Sequence, residues 1–172
     1  MYVSIGSGST RYKDVINYDI NKMLNVDIVG DIRKLPFKDD SVDGIIFQHV
    51  LEHLIKKDHL GVLWGIRRVL KPGGKLLVEV PNFEMCLRAY LDNTKGLKDS
   101  YWYDTIFGAD RVPYDRHLSG ITEEYLTDLL FETGFCDLNW QNPADTMYQV
   151  IAKKGKCPTG RLGEKLGKKL GD

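Results

Sequence analysis

The chain has 172 residues, 42% hydrophobic and 28% charged, with 24 basic and 24 acidic side chains and no net charge. That length fits one domain able to bury about two thirds of the surface its unfolded chain exposes, and the balanced charge excludes a strong electrostatic pull toward nucleic acid or acidic substrates. Cys86, Cys136 and Cys157 are an odd set outside any C-x-x-C pairing, so neither a disulfide framework nor a cysteine zinc site is expected and a reducing cytoplasm fits best.

Tyr2 to Ile5 is a short apolar run ending in Gly6-Ser7-Gly8, the pattern of a buried strand meeting a tight turn. Val15 to Tyr18, closed by Asp19, and Val26 to Val29, closed by Gly30-Asp31, follow it. Gly44 to Phe47 is a fourth run, preceded by the turn-like Lys38-Asp39-Asp40-Ser41, with Asp43 placed as a turn residue. Such continuously apolar runs bounded by Gly or Asp are typical of parallel strands covered on both faces.

A helix is expected over Asp58 to Leu70, where Val62, Leu63, Ile66, Val69 and Leu70 share one face. Lys71-Pro72-Gly73-Gly74 should end it, because proline lacks a donor and glycine admits positive φ, and Lys75 to Val80 should be the fifth strand. A second helix should start at Thr122, a good N-cap with Glu123 and Glu124 at the positive end of the dipole, and run to Gly134. Phe135 to Trp140 and Tyr148 to Ala152 then read as strands joined by a turn at Asn142-Pro143. The sum is an alternating α/β domain with a closing hairpin.

Residues 81–121 show little periodicity beyond a helical piece at Phe83 to Leu91, and they carry Tyr90, Tyr101, Trp102, Tyr103, Phe107 and Tyr114. Long irregular segments in compact domains tend to be lids or binding loops, which makes this stretch a candidate substrate cover; the alternative is a satellite core. Residues 155–172 form a Gly/Lys/Leu-rich tail with five basic and two acidic side chains, read as solvated or weakly docked rather than as a membrane-surface or partner helix. No run approaches the ~20 apolar residues of a membrane span, and the chain opens on a short apolar strand rather than a basic signal peptide, so a soluble, unprocessed protein is expected.

Ligands of open α/β sheets bind beyond the carboxyl ends of the strands, where the strand order reverses. The four ends here are Gly6-Ser7-Gly8, Asp19, Asp31 and Gln48-His49. Singly each is a weak signal; together they suit a nucleoside. Glycine lets backbone amides approach closely, a carboxylate after the second strand accepts from ribose hydroxyls, Asp31 can accept from an exocyclic amine, and Ile20 and Ile32 supply apolar faces. A pyrophosphate cofactor is disfavoured: the loop reads GSGSTR without a last glycine, and Gly6 lies thirteen positions from Asp19, against the usual ~20.

The segments YVSIGSGSTRYKDVINYDI, VGDIRKLPFKDDSVDGIIFQHVLEHL, RRVLKPGGKLLVEVPN and HLSGITEEYLTDLLFETGF resemble class I S-adenosylmethionine-dependent methyltransferases. The closer resemblance is to small type 11-like members, often associated with glycan and surface-polysaccharide biosynthesis, in which a short loop replaces the first helix. It implies a Rossmann-like, mostly parallel seven-stranded sheet with an antiparallel C-terminal hairpin in a domain of residues 1–154. It also implies that S-adenosylmethionine is the cofactor and S-adenosylhomocysteine the product. Gly6, Ser7 and Gly8 would lie along the methionine part, Asp19 would hold the ribose with Ile20 beside the base, Asp31 with Ile32 would read adenine, and Gln48 would stand near the sulfonium. Two departures are visible: Ser4 stands where many members have an acidic residue, and Thr10 replaces a frequent third glycine. The expected acceptor is a small molecule or a sugar-containing intermediate, with no nucleic acid; the alternative is a cofactor-binding module that has lost catalysis.

HVLEH, residues 49–53, also has the H-x-x-E-H spacing of one class of zinc peptidases, which would need a third, distant ligand. Because the motif follows the fourth strand directly and the methyltransferase pattern accounts for it, no metal is expected. His49 is the candidate proton acceptor facing the transferred methyl, or else packs on cofactor or lid. His117, in YDRHLSG, is a second catalytic candidate or a loop histidine with a structural partner.

Overall fold

Short apolar runs become the parallel half of one sheet. In the computed structural model, which describes residues 1–23, 25–93, 100–111, 114–141 and 144–155, β1 (Tyr2–Ile5), β2 (Ile16–Asp19), β3 (Ile28–Val29) and β4 (Val42–Gln48) are joined by β5 (Leu70–Pro81), β6 (Phe135–Gln141) and β7 (Met147–Lys154). The seven strands run in the order β3-β2-β1-β4-β5-β7-β6. Pairs from β3 through β5 are parallel, while β7 lies antiparallel between β5 and β6. This is the expected Rossmann-like sheet with its antiparallel closing hairpin.

Two helices supply apolar cover. α1 (His59–Val69) buries Val62, Leu63, Ile66 and Val69, and α4 (Glu123–Glu132) buries Leu126, Leu129 and Leu130 in the same core as β1, β4 and β5. Each such side chain contributes about 1.5–3 kcal/mol by leaving water. α4 begins as its sequence requires, with the Thr122 hydroxyl accepting from Tyr125 N–H at 3.1 Å.

No helix among the described residues separates β1 from β2. Asn17 does the polar work there instead: fully buried on β2, it donates to the Val15 carbonyl and to Asp27 and accepts from Tyr12 N–H, while Asp27 also pairs with Arg11 at 3.1 Å. Tyr12 N–H and the Val15 carbonyl are thereby satisfied without helical bonds, and the Asn25 amide donates to the Gly8 and Thr10 carbonyls, each at 2.9 Å.

Four features depart from the sequence reading. The third strand is only Ile28–Val29, because Asp27 is drawn into the Asn17 cluster. The Pro72-Gly73-Gly74 turn lies inside β5, which starts at Leu70; the ladder steps from Val42↔Leu70 to Gly44↔Lys75, and this irregularity absorbs the extra residues. Asp43 lies in β4 rather than in a turn, bonded to Lys71 at 2.7 Å, and that ammonium first and the Met1 amine second hold its carboxyl at about 2. Residues 81–121, expected to be largely irregular, contain α2 (Phe83–Asn93) and α3 (Ser100–Phe107), which pack on each other. The apolar residues of α3 are nearly continuous rather than spaced as on one helical face, so its helicity comes from packing, as in the Tyr90–Tyr103 ring contact at 6.5 Å.

Cys86 is a buried free thiol, whereas Cys136 is disulfide-bonded. This corrects the expectation drawn from spacing, since a bridge need not leave a C-x-x-C mark. The Asn142-Pro143 turn, Cys157 and the tail from residue 156 onward lie outside the described residues. Among those described, no helix is long and apolar enough to cross a membrane.

Thr122→Ala should lower the stability to urea by about 1 kcal/mol, the typical value of an N-cap, with unchanged m. An unshifted midpoint would show that α4 does not depend on this cap.

Candidate functional site

β1 pairs in parallel with β2 on one side and β4 on the other, so the strand order reverses at β1 and the three strands end together. The chain leaves two of these ends through left-handed backbone, at Gly6 (φ 69), Gly8 (φ 54) and His49 (φ 54). At Gly6 the absence of a side chain is a steric necessity, because a Cβ would stand 2.2 Å from Cγ2 of Val50. Gly8 faces open space.

The glycine turn folds onto β2. Gly6 and Ser7 N–H groups donate to the Tyr18 carbonyl at 2.8 and 3.3 Å, and Gly8 N–H donates to Asp19 Oδ2 at 2.9 Å. Asn21 N–H donates to Asp19 Oδ1 at 2.8 Å, so each carboxylate oxygen receives one backbone donor. Asp19 is 6% exposed and rigidly oriented, yet each oxygen keeps lone-pair capacity for a further donor.

Beyond these ends opens a cavity of about 390 Å³, within the size range of small-molecule sites. Gly6, Gly8, Asp19, Ile20, Asp31, Ile32 and His49 line it, as do Tyr18, Met23, Val50, Leu54 and Ile55. Tyr114, Asp115 and Leu118 from the expected lid reach its wall. Asp31 caps the turn Ile32–Lys34, accepting from Arg33 N–H at 2.9 Å, and is gripped by the Arg33 guanidinium, which holds its carboxyl below the usual range. The other expected residues lie off this wall. Ser7 is buried, Gln48 accepts from the Tyr12 hydroxyl at 2.9 Å, and His117 borders a small separate cleft with Glu52.

A histidine and carboxylate group adjoins the cavity. His49 Nε2 lies 3.1 Å from Glu79 Oε1, and its Nδ1 lies 3.5 Å from Glu52 Oε1, a charge contact longer than a good hydrogen bond. Glu52 first and Glu79 second push the imidazole pKa up against the opposing effect of burial. Glu52 is 2% exposed, and among the described residues neither of its oxygens has a hydrogen-bond partner. His53 Nδ1 meets the Arg116 carbonyl at 3.0 Å, and its ring contacts that of His117 edge-on at 4.8 Å between centroids. Burial pushes the His117 pKa down.

Sequence reasoning missed Leu54, Ile55 and Leu118 on the wall, whereas Tyr114 belongs to the expected cover. The hydrophobic ones look like core residues in the sequence, and only the crossing of the 114–118 segment over the strand ends marks them.

A family profile described as methyltransferase domain matches residues 6–78. The ubiquinone/menaquinone biosynthesis C-methyltransferase UbiE of Shewanella frigidimarina is 28% identical over 156 residues, covering 83% of this chain and 56% of the relative. The curated relatives are longer, and the chain spans between 18% and 59% of their lengths. Among solved structures, a SAM-dependent methyltransferase of Methanosarcina mazei superposes with a TM-score of 0.60 at 20% identity, over 89% of this chain and 91% of the other. The 1,6-didemethyltoxoflavin-N1-methyltransferase of Burkholderia thailandensis, solved with 1,6-didemethyltoxoflavin and S-adenosylhomocysteine, gives a TM-score of 0.58 at 17% identity, over 90% and 70%.

The two glycines of the turn should respond differently to alanine. Gly6→Ala should cost about 2–4 kcal/mol, adding overlap with Val50 to the backbone penalty, and Gly8→Ala only about 1–2 kcal/mol. Equal losses in urea unfolding would show that the contact at Gly6 is not the constraint.

Proposed function

We propose that this chain, which belongs to the class I S-adenosylmethionine-dependent methyltransferases, binds S-adenosylmethionine in the cavity at the ends of β1, β2 and β4 and methylates a small-molecule or sugar-containing acceptor. The observation that carries the cofactor reading is Asp19: a nearly buried carboxylate with one backbone donor on each oxygen, facing a cavity of ligand size. Such a group can accept from both hydroxyls of a ribose without moving. Ile20 and Ile32 offer apolar surface for the base, and Asp31, held in place by Arg33, can accept from its amine.

When bound, the cofactor supplies a methyl group on a sulfonium, whose neutral thioether leaving group needs no protonation. The tasks left to the protein are alignment and exclusion of water. The backbone turn at Gly6 and Gly8 shapes one wall, and the left-handed His49 turns the chain at the opposite strand end. His49 stands on the wall and is the candidate to contact the acceptor; His117 lies behind it and is assigned a positioning role.

The small-molecule reading is supported by the cover over the cavity. Tyr114, 67% exposed at the wall, offers a ring face suited to stacking on an aromatic or sugar ring, with Leu118 beside it. The 1,6-didemethyltoxoflavin bound to the Burkholderia relative is an acceptor-sized molecule of the same general kind.

Isothermal titration with S-adenosylhomocysteine should give one site per chain. Asp19→Ala should weaken it by about 100-fold or more, since two hydrogen bonds to a charged group are lost at roughly 1.5–3 kcal/mol each. Absence of binding by the unaltered protein at millimolar ligand, or an undiminished affinity in the variant, would defeat the assignment.

A further inference from the structure

Glu52, His53 and His117 form the strongest unassigned cluster among the described residues. One potential ligand atom from each lies within 4.8 Å of the others. A tetrahedron with ~2.0–2.1 Å bonds has edges of about 3.3 Å, so a side-chain adjustment of roughly 1.5 Å closes the set around one ion. Glu52 is 2% exposed with both oxygens lacking a hydrogen-bond partner among the described residues; His49 Nδ1, 3.5 Å from Oε1, is a charge contact to one oxygen only, and a buried carboxylate so incompletely paired is costly unless a further cation or donor reaches it.

The backbone holds the three together. Leu118 and Ser119 N–H groups donate to the Glu52 carbonyl at 2.7 and 3.1 Å, and His117 N–H donates to the Phe107 carbonyl at 3.0 Å. His53 Nδ1 donates to the Arg116 carbonyl at 3.0 Å, which leaves Nε2 as the ligating nitrogen in the manner of metal-bound histidines.

We propose that Glu52, His53 and His117 bind one divalent cation of the zinc type between the two cavities, with open coordination positions toward the wall that His53 shares with the larger cavity. Two imidazoles and one carboxylate are a donor set for a borderline cation such as Zn²⁺ or Co²⁺ rather than for Ca²⁺. The H-x-x-E-H spacing contributes to this site through Glu52 and His53; the distant ligand is His117, and His49 remains with Glu79 and Glu52. This revises the expectation of no metal. Water or an acceptor oxygen can take the open positions, and the acceptor's place there rests on the methyltransferase reading, whereas ion binding does not.

The test is calorimetric titration of chelator-stripped protein with Zn²⁺, and optical titration with Co²⁺. One ion per chain is expected at micromolar affinity or better, with visible Co²⁺ bands of low-symmetry coordination. Glu52→Gln and the more exposed His117→Ala should each lower affinity at least 100-fold, with folding checked by circular dichroism. No saturable one-to-one binding, or unchanged affinity in a folded His117→Ala variant, overturns the site. In the Co²⁺ form, catechol serves as an oxygen-donor probe. Perturbed bands support the open positions, and unperturbed bands overturn them. S-adenosylhomocysteine binding in the same samples separates a failure here from a failure of the cofactor assignment.

Discussion

The parallel pairing of β1 with β2 on one edge and β4 on the other is the constraint on which the rest of the structure depends. Each parallel pair forces the chain to return to the same end of the sheet before starting the next strand. Because the return from β1 goes to one side and the path onward to β4 lies on the other, the loops after β1, β2 and β4 diverge around a common opening. The cavity is therefore a consequence of strand order, and the residues leaving those strands become its wall whatever their chemistry.

The short β1–β2 connection sharpens that geometry. Without a helix to satisfy its backbone, the loop relies on the side-chain amides of Asn17, itself bonded to Asp27, and Asn25. The glycine turn lies directly on the end of β2, and Gly8 N–H reaches the Asp19 carboxylate. The same economy shortens β3 to Ile28–Val29, since Asp27 serves the loop. Loop length, a buried asparagine and the orientation of Asp19 are linked by one hydrogen-bonded unit.

The opposite wall is made by a different device. The 3-10 turn Leu51–His53 after β4 is bonded through the Glu52 carbonyl to Leu118 and Ser119, so the segment preceding α4 crosses the strand ends. This crossing brings Tyr114 and Leu118 to the cavity and seats His117 against His53. Cover and histidine cluster therefore share one set of backbone bonds.

The sequence by itself determined the elements whose signals are local. Tyr2–Ile5 is a strand because its run is apolar and ends in glycine, α4 starts at Thr122 because a hydroxyl precedes two acidic residues, and Asp19 and Asp31 could be placed at strand ends because each closes an apolar run. Tertiary structure alone decided what depends on distant partners. α3 is a helix through packing on α2, β5 runs back to Leu70 because β4 offers Val42 as a partner, Gln48 turns to Tyr12, and His53 meets a histidine 64 positions away rather than His49 in its own motif. The physical reason is the range of the forces: capping, turn preference and periodicity act over a few residues, whereas burial and side-chain pairing are settled only when remote segments close on one another.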